Sequence, residues 1–131
     1  MRLFLLVCSA LALMSCSDSM RVPVQTLQSP NGDYKIHIYY SDSGACCSTA
    51  IKGELVGIGA GFGGVETEIF YIRRALLDDF ELEWASPYSL QVTVCDASSV
   101  RYESIIRGES GQEAIRMDIH NEWPTDESGR C

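Results

Sequence analysis

Six cysteines among 131 residues are the side chains most able to do chemistry in this chain. Four of them, Cys46, Cys47, Cys95 and Cys131, lie in its body. An even set reads as disulfide candidates if the compartment is oxidising. Their spacing lacks the Cys-x-x-Cys pairs used by zinc sites and thioredoxin-like motifs. Four cysteines allow three pairings. A bridge between the neighbours Cys46 and Cys47 closes a strained small ring. The other two pairings tie that turn to Cys95 and to the C-terminus, and such bridges add about 2–4 kcal/mol.

His37 and His120 are the two candidates for a base near neutral pH. His37 falls on the polar side of an alternating segment, and His120 at a segment end beside Asp118 and Glu122. Both read as surface residues rather than catalysts or metal ligands. The glycine-rich stretch Gly57 to Gly64 would cradle phosphate if it opened a helix, but a strand pattern follows it and no Gly-Lys-Ser/Thr is present. Gly108-Glu109-Ser110-Gly111 lacks the final glycine of a nucleophile elbow and precedes another strand pattern, so it reads as a hairpin turn. Asp78, Asp79, Glu81 and Glu83 could attract calcium. Their alternation with Phe80 and Leu82 instead spreads the glutamates along a solvated face. No catalytic residue, metal ligand or cofactor is expected.

The remaining cysteines belong to the N-terminus. Arg2 supplies a positive start, Leu3 to Met14 an apolar run carrying Cys8, and Ser15 a small residue before Cys16. That order is a secretory signal. The run is shorter than the roughly 20 residues a membrane-spanning helix needs. Leu13-Met14-Ser15-Cys16 resembles the bacterial lipobox: aliphatic, tolerant, small, cysteine. The resemblance implies a diacylglycerol on the Cys16 thiol, cleavage before it, and acylation of the new amino group. Two or more acyl chains anchor stably where one does not. Ser17, rather than Asp, resembles the outer-membrane default of enterobacterial lipoproteins. The expectation is therefore a signal peptide over residues 1–15, a lipidated tether over 16–23, and a β-rich extracytoplasmic domain over 24–131.

Elements to position these residues follow from period-two alternation, the mark of half-buried strands. Strands are expected over Val22 to Leu27, Tyr34 to Tyr40, Thr49 to Val56, Glu66 to Arg73, Phe80 to Trp84, Leu90 to Val94, Val100 to Ile106 and Ile115 to Ile119. Ser29-Pro30-Asn31-Gly32-Asp33 and Ser86-Pro87-Tyr88 read as turns. A short helix is weighed near Ala75, and the tail from Asn121 reads as loose. Seven or eight short strands predict a mainly β domain, a single small antiparallel sandwich or partly closed barrel. Ser29 to Tyr34 looks like the Ser-Pro-Asp-Gly turn of propeller repeats, and Trp84 to Leu90 like a degenerate second copy. Ser29 to Gly32, Gly44 to Ser48, Trp84 and Leu90-Gln91-Val92 together resemble a set of small uncharacterised bacterial proteins, which carries no activity over.

Charge narrows the partners. The chain holds 10 basic and 18 acidic side chains. Cleavage before Cys16 would remove only Arg2, leaving 116 residues with a formal charge of −9. Nucleic acid is excluded on that balance, because phosphate binding needs clustered Lys and Arg. The expected function is a non-catalytic binding domain with a protein partner, held by lipid on Cys16 to the cell envelope, at the outer membrane facing the periplasm. An inhibitor of a wall-degrading enzyme such as lysozyme is the alternative, and a small hydrolase the third reading.

Overall fold

The computed structural model describes residues 22–42, 48–57, 66–107 and 113–124. Among them nine strands form two sheets. The first has five strands in the order β1 (Gln25–Gln28), β2 (Tyr34–Ser41), β3 (Ala50–Gly57), β4 (Thr67–Arg73) and β7 (Ser99–Tyr102). The second has four, β5 (Phe80–Ser86), β6 (Ser89–Cys95), β9 (Glu113–Glu122) and β8 (Ile105–Arg107). Neither closes on itself, so the domain is the expected sandwich and not the barrel. Pairing is antiparallel throughout except between β6 and β9, which run parallel. No helix among the described residues is long and apolar enough to cross a membrane.

The core forms because alternate residues of each sheet turn inward. Ile36, Ile38, Ile51, Leu55, Phe70 and Ile72 come from the first sheet, and Phe80, Leu90, Val92, Val94, Ile115 and Met117 from the second. Phe70 and Phe80 meet across the interior with ring centroids 5.9 Å apart. Phe70 reaches there because Gly53 lies opposite it on β3, where a Cβ would stand 2.3 Å from the ring. A bulge follows at Gly53/Glu54. Both Ile69 and Phe70 are buried in consequence, which strict alternation does not provide.

The turn before β2 is built by its own side chains. Ser29, 4% exposed, donates from Oγ to Asn31 Oδ1 at 2.7 Å and accepts from the Tyr34 N–H at 3.0 Å. Asn31 Nδ2 donates to Asp33 at 2.9 Å. Gly32 takes a φ of 78°, the left-handed region that glycine enters without a Cβ clash.

Three expectations need correction. The single strand over Val100 to Ile106 is two strands in different sheets. Glu103 still donates to Ile69 O in the first sheet at 3.0 Å, whereas Ser104 O already accepts from Met117 N–H in the second at 2.9 Å. The chain changes sheets between those two residues. The tail is not loose at Asn121: β9 runs through Glu122. The first strand starts at Gln25 rather than Val22. Near Ala75 the short helix is a single 3-10 turn, Leu77–Asp79. Cys16, Cys46, Cys47 and Cys131, the glycine stretch beyond Gly57 and the expected Gly108 to Gly111 turn fall outside the described residues.

Candidate functional site

The outward residues of the first sheet lie in register across four strands. Tyr39 is opposite Lys52, Lys52 opposite Tyr71, and Tyr71 opposite Arg101. The row thus alternates ring and cation. The Lys52 ammonium sits 4.8 Å from the Tyr39 ring centroid, and the Arg101 guanidinium 5.4 Å from that of Tyr71. Both distances are within cation–π reach. Each cation also has a carboxylate: Lys52 Nζ is 2.8 Å from Glu54, and Arg101 donates to Glu68 at 2.7 Å.

The layer is denser than an open surface. Lys52 and Glu54 side chains are only 19% and 17% exposed, and Tyr39 is buried. Desolvation would raise the Glu54 carboxyl, but hydrogen bonding and charge from Lys52, with further hydrogen bonds to Glu66 and Tyr39, hold it below the usual carboxylate range. Lys52 is held above its ordinary value, first by the hydrogen bond to Glu54. Desolvation, then the negative charge of Glu54, pushes the Tyr39 phenol up. Toward β7 the row opens: the Arg101 side chain is 73% exposed.

The two histidines do not meet. His37 stands on this same outer face, its Nδ1 3.2 Å from Thr26 Oγ1. His120 stands opposite Thr93, an outward position of the other sheet. With the core between them they cannot share a substrate, which removes the geometric basis of a two-histidine site. His120 is exposed beside exposed Asp118 and Glu122. Among the described residues no group of three His, Cys, Asp or Glu side chains could hold a metal ion.

The acidic cluster is split by the fold. Asp78, Asp79 and Glu81 line a cleft of about 340 Å³ with Thr93, Val94, Cys95 and Glu122. A second cleft of about 260 Å³ shares Asp79 and Cys95 and adds Thr49, Arg74, Leu76 and Asp96. Glu83 lies opposite Gln91, farther along β5, and lines neither. Cys95 is disulfide-bonded, and every other cysteine lies outside the described residues. Sequence reasoning missed Asn121, whose amide accepts from Ala97 N–H at 3.0 Å and donates to Ala97 O at 3.1 Å. It also missed Lys52, Tyr71 and Arg101. Alternation places each on an outward face, but their alignment depends on strand order.

The fold and these outer faces define a two-sheet β sandwich. The chain belongs to the family of unknown function DUF5412, whose model matches residues 19–96. The Ser29 to Gly32 turn, Trp84 and Leu90 to Val92, on which a resemblance to small uncharacterised proteins rests, all fall within that span. No curated protein and no solved structure matches the chain significantly.

Proposed function

We propose that the chain is a lipoprotein held in the cell envelope by acyl chains on Cys16, at the outer membrane facing the periplasm. Its sandwich is a non-catalytic domain that binds a protein partner through the outer face of the five-stranded sheet. The observation supporting the binding reading is the open end of the aligned row, where half-buried Tyr71 and exposed Arg101 are backed by the covered Tyr39 and Lys52. Interfaces favour tyrosine and arginine because they give large contact area with directional polar ends. Here both are held by neighbours on a sheet, so little ordering is needed on binding. The lipobox at Leu13 to Cys16 supports the anchor.

The two halves are tested separately. Cys16→Ser is expected to move the protein from the membrane to the soluble fraction and abolish lipid labelling. Retention with label would overturn the anchor. A photo-crosslinking residue at Tyr71 is expected to capture one defined partner in cells, with capture lost on Arg101→Glu. The same residue at Gln91, on the outer face of the other sheet, is expected to capture nothing. Capture from Gln91 and none from Tyr71 would overturn the choice of face.

A further inference from the structure

Seven large apolar side chains are exposed among the described residues, and four of them gather at one end of the sandwich. Val22 is 75% exposed, Val24 53%, Leu76 51% and Trp123 66%. Register places them. Gln25 is opposite Ile38, so the chain before β1 runs along β2 toward Ser41; Ser41 is opposite Ala50, and Ala50 opposite Arg73. Leu76 lines a cleft with Thr49, Arg74 and Cys95. Trp123 follows Glu122, which is opposite Cys95. This is the end at which the chain enters the domain. Tyr88 lies at the opposite end, in the turn between β5 and β6.

We infer that this entry end seats on a zwitterionic phospholipid surface, with Trp123 and Leu76 at headgroup level and the strands rising away from it. The inference rests on the anchoring of Cys16 proposed above. Five residues, Ser17 to Arg21, separate Cys16 from Val22. Fully extended they span about 17 Å at roughly 3.5 Å each. A tether that short keeps the entry end at the bilayer at high effective concentration, so a contact too weak to bind alone suffices to orient the domain. Tryptophan suits the place, having an apolar body and a polar N–H. The charges match a zwitterionic surface rather than an anionic one. Exposed Arg73 and Arg74 can meet phosphates, while Asp78, Asp96 and Glu122, also exposed, can meet ammonium groups and would repel anionic lipid. Standing so, the domain leaves the outer face of the five-stranded sheet open to a partner beside the membrane.

Lipidated full-length protein in phosphatidylcholine vesicles with brominated acyl chains tests this. Trp84→Phe leaves Trp123 as the sole tryptophan. It costs no hydrogen bond among the described residues, where the buried Trp84 Nε1 has no partner. Trp123 emission is expected to shift to the blue and lose intensity relative to soluble Cys16→Ser protein, and the loss is expected to shrink as phosphatidylglycerol is added. In Trp84→Phe/Trp123→Phe protein, Tyr88→Trp is expected to stay unquenched. Should Trp84→Phe unfold, fluorotryptophan labelling of the unaltered chain separates the two indoles, and spin-labelled lipid should broaden Trp123 alone. Mass analysis of the same preparation reports lipid on Cys16. Lipid present with Trp123 unquenched overturns the seating alone, as does equal quenching of Tyr88→Trp. Lipid absent overturns the anchor and the seating with it.

Discussion

At Gly53 the absence of one carbon lets the Phe70 ring lie against β3 and reach Phe80. Gly53→Ala therefore forces the ring or the strand to shift. Overpacking of this kind costs about 1–3 kcal/mol, read as a lower midpoint in urea. Gly53→Ala/Phe70→Leu should recover part of the loss. Glu54 works through charge. Its folded carboxyl is held below the ordinary range. Its stabilisation is thus complete above the pKa of the unfolded chain and fades as pH falls through the lower, folded value. Lys52 is raised, so its share is lost only as pH climbs past the ordinary lysine range. Stability should thus hold near neutrality and fall on acidification. Glu54→Gln should flatten the acid limb of a pH series of thermal midpoints. Residue type alone does not give these roles: Gly53 acquires its role from Phe70 on β4, and Glu54 from Lys52 two places along its own strand together with Tyr39 on β2.

Strands were legible where turn residues bracket an alternating run. Tyr34 to Ser41, entered through the Ser29 to Asp33 turn, matches its expected span to within one residue. The hairpin of β5 and β6 around Pro87 is equally local. The run from Val100 to Ile106 was not legible, because alternation continues smoothly while the hydrogen-bond partners change from Ile69 to Met117. Period two reports which side a residue faces, not which sheet it joins. The parallel pairing of β6 with β9 is likewise invisible to local pattern, and it carries the centre of the second sheet. Leu90 and Met117 lie opposite each other there, both wholly buried. Met117→Ala should cost about 2–5 kcal/mol through lost burial and the cavity left behind. Chemical denaturation checks this, with a far smaller loss expected for exposed Arg116→Ala.

Across the whole molecule, two of the three passages between sheets among the described residues lie near the entry end, each through a non-glycine residue with positive φ. Arg74 has a φ of 64° and donates to Thr49 O at 2.7 Å; Asp96 has a φ of 50° and donates to Glu122 O at 2.8 Å. The hydrogen bonds hold backbone shapes that L-residues adopt at a cost. Cys95 lies beside the second crossing and is disulfide-bonded. Cys95→Ala is expected to lower stability by about 2–5 kcal/mol, and reducing agent should lower the thermal midpoint of the native protein by more than that of the variant. The same crossings place His37 and His120 on opposite faces and bring Asp79 and Glu122 into one cleft.

The sequence by itself determined the mainly β class, the turns and most strand positions, because alternation and turn chemistry act between near neighbours. It also holds the Leu13 to Cys16 segment whose resemblance to a lipobox supports the proposed anchor, a signal of a kind read as linear sequence. Tertiary structure alone decided that the sheets form a sandwich, that the nine strands among the described residues divide five and four, and that Tyr39, Lys52, Tyr71 and Arg101 stand in one row. Those outcomes depend on which strand lies beside which. That choice is settled by how two apolar faces bury each other, an interaction among residues far apart in the chain.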